Sequence, residues 1–191
     1  MSVEEIVTAL AKPGEYSYRG TLEAASTWPS AEAELSKAIN TLELFAYGNY
    51  GSFLRHQGQF LDLSGQLTKK LVQLTLISAC NENEGRLVPF ETVLKEYSLE
   101  QALEGREENL ESLIMEMIDE NVIVAKIDER QRSVKFVESL VLRDAFNDRK
   151  YPLRVLDQED VRKRSVSEAK AFLQHWLDTK VIPAQAELQD A

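Results

Sequence analysis

The chain has 191 residues, 43% of them hydrophobic, and a formal net charge of −10. That length suits one domain with an appendage or two small domains sharing an interface, and the apolar fraction excludes global disorder. The acidic balance disfavours nucleic acid or an anionic membrane as the main partner.

Ser2 with Glu5 makes a capping box, and residues 3–11 read as a short helix stopped by Lys12-Pro13-Gly14. From 15 to 30 the pattern is aperiodic, and Tyr16, Tyr18 and Trp28 are expected to lay the segment on a neighbouring surface. Ser30 can cap the next helix, with Glu32 and Glu34 near its positive end. Leu35, Ile39, Leu42, Phe45 and Ala46 form that helix's stripe, and Gly48 and Gly51 end it. Phe53, Leu54, Phe60, Leu61 and Leu63 follow in a loop or short helix.

The stretch from 64 to 137 organises the chain. Its first helix, 66–81, carries two apolar stripes, one of Leu67, Leu71, Leu74 and Ser78, the other of Val72, Leu76 and Ala79. A helix apolar on most of its circumference must be covered from both sides, which makes it the joint between two halves of one body. Cys80, the single cysteine, lies next to its end and reads as a buried inert thiol. With no internal disulfide possible, no apolar run near ~18 residues and no basic-then-apolar leader at Met1, a soluble intracellular protein is expected.

A polar turn follows at 81–85. Leu87-Val88 is a short strand, and Pro89 stands at the start of a helix over 90–97. A third helix, 107–121, holds Leu110, Leu113, Ile114, Met117 and Ile118 on one face. Ile123, Ala125 and Ile127 alternate with Val122, Val124 and Lys126; after the turn 128–131, Val134 and Phe136 return on the inner face. Lys126, Arg130, Arg132 and Lys135 are expected along the hairpin's edge. Helix, strand, helix, helix, hairpin is the order of a winged-helix domain.

Residues 139–158 read as a linker with a short extended piece at Tyr151-Pro152. The last helix is predicted over 159–179, its seam formed by Val166, Ala169, Leu173 and Trp176 and widened by Phe172 and Leu177. Pro183 stops it, and a polar tail ends the chain. The expected fold is mainly α with a small β-hairpin. It divides into an N-terminal helical segment (1–63), a winged-helix subdomain (64–138), the linker (139–158), a C-terminal helix (159–182) and the tail (183–191).

Between Glu82 and Glu120 stand twelve acids and three bases, Arg86, Lys95 and Arg106. A third helix presenting Glu108, Glu111 and Glu116 would repel phosphates, so protein recognition is favoured over DNA reading. His56 and His175 lie in different segments without a motif. No paired-cysteine, His-Glu-x-x-His or glycine-rich phosphate pattern is present, so neither an enzyme nor a cofactor or metal is expected. The basic run Arg162-Lys163-Arg164 at the predicted start of the last helix opposes the macrodipole and suggests a partner carboxylate. That helix either folds back on its own chain or packs with helices of other subunits.

Several segments carry a resemblance. They are Pro13-Gly14-Glu15-Tyr16-Ser17-Tyr18, Leu42-Glu43-Leu44-Phe45-Ala46-Tyr47-Gly48, and Leu71-Val72-Gln73-Leu74-Thr75-Leu76-Ile77-Ser78. With them go Val93-Leu94-Lys95-Glu96-Tyr97, Asn109-Leu110-Glu111-Ser112-Leu113-Ile114 and the hairpin through Phe136. In these the chain resembles the PCI-domain family, and within it subunit seven of the COP-nine signalosome and its diverged budding-yeast counterpart, subunit nine. The resemblance implies a non-catalytic scaffold subunit, cytoplasmic and nuclear, of the complex that removes the modifier Nedd-eight from cullins. It implies partners among the other signalosome subunits. Lateral contacts would come from the wing strands (Val122, Val124, Lys126, Lys135) and bundle contacts from Leu173, Trp176 and Leu177. Phe45, Leu71, Leu74, Leu110, Leu113, Ile114, Met117 and Phe136 are the expected core. The alternatives are a subunit of another PCI complex such as the proteasome lid, or a free-standing RNA-binding regulator using a patch of Arg130, Arg132, Lys135, Arg143 and Arg149.

Overall fold

The computed structural model describes residues 2–26, 32–182 and 185; Trp28, Ser30, Pro183 and nearly all of the tail lie outside them. The first helix, α1 (Val3–Ala11), is closed by the expected box, with the Ser2 N–H donating to Glu5 Oε2 at 2.7 Å and the Glu5 N–H to Ser2 Oγ at 3.2 Å. The segment read as aperiodic contains a helix, α2 (Arg19–Ser26), burying Leu22 and Ala25. Its cap comes from far along the chain. Asp144 Oδ2 accepts the Tyr18 and Arg19 N–H groups at 2.5 and 3.0 Å, and Oδ1 accepts the Ser17 hydroxyl. A carboxylate at a helix N-terminus satisfies donors that nothing within the helix can reach.

Helix α3 (Ala33–Tyr47) is buried continuously from Ala38 to Tyr47. Gly48 ends it, but Gly51 does not. Asn49 opens a new capping box and α4 (Tyr50–Arg55) runs through Gly51. The turn is tight, because a Cβ on Gly48 would sit 2.6 Å from Leu44 Cδ1.

Helix α5 (Gly65–Glu82) is capped by Ser64 and buried without interruption from Lys70 to Cys80. It packs on α1 and α4 and, elsewhere along its surface, on the last strand of the sheet. The helix is therefore covered both by helices before it and by the sheet after it. Burial pushes the Cys80 thiol pKa up to about 11, with Glu84 and Glu138 adding to the shift.

After it come β1 (Leu87–Pro89), α6 (Phe90–Glu96), α7 (Glu107–Asp119), β2 (Ile123–Asp128) and β3 (Ser133–Ser139). The strands form one antiparallel sheet in the order β1-β3-β2. The protein is mainly helical with this small sheet. Phe45, Leu71, Leu74, Leu110, Leu113, Ile114, Met117 and Phe136 all belong to one buried cluster that runs from Ile6 to Val161. Leu113→Ala is expected to cost about 2–5 kcal/mol as a core truncation. A denaturant melt showing a change below about 0.5 kcal/mol, the range of neutral surface substitutions, would place the residue outside the core.

Segment 139–158, read as a linker, is instead a strap laid on the body. Phe146, Tyr151 and Leu156 are buried in the common cluster. Segment 159–179, read as one helix, is broken. A single turn, α8 (Gln158–Val161), and a 3₁₀ turn, Arg162–Arg164, precede α9 (Val166–Trp176), which runs on into a π turn, Leu177–Val181. No helix among the described residues is long and apolar enough to cross a membrane.

Candidate interaction surfaces

Strand periodicity sends alternate side chains of the sheet outward. Leu87, Lys135 and Lys126 form one row across β1, β3 and β2, and Leu87 is half exposed. Lys126 and Lys135 are direct cross-strand partners, so like charges face each other, an unfavourable arrangement in isolation. Val124 and Glu138 form the next outward pair, with a bulge between Val124 and Ala125. Lys135 lies on the central strand, not on an edge; β2 is the edge strand on its side.

Val122 does not belong to this face. Asn121 adopts φ 56° and turns the chain back on α7, so that the Val122 N–H bonds the Met117 carbonyl at 2.9 Å. Its side chain drops into the core, and the in–out alternation begins only at Ile123.

The second surface starts from an anchored base. The strap is held by Glu43, a fully buried carboxylate in α3. It accepts the Arg154, Val155 and Leu156 N–H groups at 2.8, 2.9 and 3.0 Å. Asp160 then closes α8 by capping Asp157, accepts the Ser52 hydroxyl at 2.9 Å, and contacts the Arg55 guanidinium. His56 Nε2 lies 3.4 Å from Asp157 and 3.8 Å from Asp160. These three residues are a group among the described residues whose donor atoms come close enough to hold a cation. Arg55 already supplies positive charge there, so the cluster works as an ion-pair lock on the base of the last helix. Sequence inspection missed it because His56 and Asp160 lie far apart in the chain.

The basic run falls in the 3₁₀ turn. Lys163 Nζ donates to Glu82 at 2.7 Å, so this chain supplies the carboxylate that the helix-dipole argument assigned to a partner. The final tie is backbone, the Val166 N–H to the Phe146 carbonyl at 2.8 Å. Beyond it every residue from Val166 to Thr179 is exposed. Phe172, Leu173 and Trp176 are 68%, 60% and 52% exposed, and Leu177 accompanies them. The seam is not folded back on any of the described residues. Among the described residues these apolar side chains stand at helical spacing without cover.

Two of the five residues of the basic patch considered for RNA are engaged by this chain's own groups. Arg132 is taken up by Glu107 and Glu108. Arg143 turns inward, donating to the Phe45, Gly48 and Leu74 carbonyls and to the Ser78 hydroxyl at 2.9–3.2 Å. On α7, Glu108 and Glu116 meet Arg132 and Lys69.

No family model matches the chain. Over 130 residues, 68% of its length, it is 27% identical to COP9 signalosome complex subunit 7 of Drosophila melanogaster. Over 133 residues, 70% of its length, it is 23% identical to COP9 signalosome complex subunit 7 of Dictyostelium discoideum. The matched stretches cover 44% and 49% of those proteins, so the chain spans about half the length of the relatives it matches.

Proposed function

We propose that the chain is a non-catalytic subunit of a COP9 signalosome, in the place of subunit 7 and akin to its diverged budding-yeast counterpart, subunit nine. Its role is assembly. It supports the removal of Nedd-eight from cullins by holding other subunits, in the cytoplasm and nucleus, and itself performs no chemistry. The observation that carries this reading is the exposed seam of α9 on an anchored base, in a chain similar to two signalosome subunits. The order α5, β1, α6, α7, β2, β3 and the sheet order β1-β3-β2 support a winged-helix subdomain within a PCI domain. In that frame the row of Leu87, Lys126 and Lys135 with Val124 is the lateral contact. Leu173, Trp176 and Leu177 are the contacts to a helical bundle.

The test is affinity capture of the tagged full-length protein from native lysate, assayed for cullin deneddylation. Recovery of the activity is expected. Recovery of proteasome subunits would assign the chain to another PCI complex, and RNA without co-purifying subunits would replace the scaffold role with a free-standing binder. Within this account Trp176→Ala should alter folding stability by no more than about 0.5 kcal/mol, because the side chain is half exposed. It should weaken subunit capture by about 2 kcal/mol or more, the cost of losing a buried aromatic anchor. Unfolding of the isolated variant would show that the seam is covered by its own chain.

A further inference from the structure

A cavity of about 510 Å³ opens where the Pro13-Gly14 turn, α5 and the end of α7 meet. Its volume falls within the range of small-ligand sites. Three polar side chains line it while being almost wholly removed from solvent. Tyr16 and Lys70 are 7% exposed and Gln73 is 6% exposed. Lys70 and Gln73 stand three residues apart on α5 and so share one face of the helix.

The Lys70 ammonium sits 3.8 Å from the centre of the Tyr16 ring, on its face. Beyond that contact, the Tyr16 hydroxyl, the Lys70 ammonium and the Gln73 amide have no hydrogen-bond or ion-pair partner among the described residues. None of these atoms is sealed from solvent, so each opens on the cavity and can hydrogen-bond to a molecule that enters it. Burial lowers the Lys70 pKa, with Glu120 and Glu15 opposing the shift.

We infer that this cavity binds a carboxylate, received by the Lys70 ammonium with the Tyr16 hydroxyl and the Gln73 amide as further donors. The rim limits what fits. Glu120 lines it, as does Glu116, whose charge is met by Lys69 at 2.5 Å. A second negative charge on the ligand would face these acids, so a polyanion is disfavoured. Ala11, Pro13, Val122 and Val141 supply apolar wall. The class is a monocarboxylate with a short apolar part, either a free metabolite or the side chain of a glutamate on a partner protein.

The test is calorimetric titration of the full chain with butyrate, with an uncharged-ended peptide bearing one glutamate, with butyramide and with inorganic phosphate. Saturable binding of a carboxylate probe is expected, with butyramide and phosphate silent. Tighter binding of butyrate would identify a free metabolite as the source, and tighter binding of the peptide a partner's side chain. Lys70→Met should weaken that binding roughly tenfold or more, since a charge-assisted hydrogen bond is lost, and Gln73→Leu should weaken it by less. Lys70→Met should also keep its melting transition in ligand-free buffer, because methionine retains the apolar stem of the side chain against α5's neighbours. Silence of both carboxylates, binding of phosphate alone, or equal binding by both variants would overturn the assignment. So would a clear drop in the melting temperature of Lys70→Met, which would make Lys70 a structural residue.

Discussion

Arg143→Ala is expected to destabilise the protein by about 3 kcal/mol or more. The guanidinium closes the C-terminal end of α3. Phe45 and Gly48 offer carbonyls that no later turn of that helix can satisfy, and Nη2 reaches both at 2.9 and 3.0 Å. Nη1 reaches the Leu74 carbonyl and the Ser78 hydroxyl on α5. One planar fork thus ties two buried helices, and alanine removes its bonds to the Phe45 and Gly48 carbonyls and to the Ser78 hydroxyl together. Urea melts of the two proteins give the difference. A loss below about 1 kcal/mol, the net worth of a single ordinary hydrogen bond, would mean that water replaces the guanidinium.

Glu43→Ala is expected to cost about 3–5 kcal/mol, in the range seen when a buried charge network loses one member. Its two oxygens take three consecutive backbone N–H groups of the strap, a geometry that only a carboxylate pointing out of α3 at this height supplies. The effect extends beyond stability. Residues 154–156 lead directly into α8, where Asp160 and Val161 are buried. Freeing the strap therefore unseats the base of α9, and subunit capture should fall even at temperatures where the variant stays folded. Hydrogen exchange at Val155 and Leu156 measures the release. Unchanged protection there would contradict the proposed hold.

The two charged residues were invisible to the sequence for the same reason. Their partners lie 65–113 residues away, and no local pattern reports such a distance. What local pattern does report was legible. The two stripes of α5 and the single stripe of α7 follow from 3.6-residue spacing, and the Ser2 box from its four-residue signature. Of the polar members of α5, Ser78 falls in one of the two stripes, whereas the burial of Thr75 was not legible. Thr75 is buried because its hydroxyl accepts the Tyr50 N–H at 2.9 Å, and Ser78 because it meets Arg143.

Helix α2 escaped notice because its cap, Asp144, is not adjacent in sequence. The strap resembled a linker because its order comes from side chains reaching across the body rather than from any period of its own. On the candidate surfaces, the seam of α9 was readable as heptad-like spacing. Its exposure, and the break at 162–165 that separates anchor from free helix, required the fold. Val122 misled because strand alternation was counted one residue too early, across a left-handed turn at Asn121.

The scaffold claim is tested most directly by ending the chain at Ser165, which removes the exposed helix but keeps the buried anchor of Asp160 and Val161. Full-length and shortened proteins would be compared for cooperative unfolding and for co-purifying deneddylating activity. The account predicts an unchanged melting transition and loss of the co-purifying complex. Retention of the complex by the shortened chain would contradict it and move the attachment to the body and its sheet.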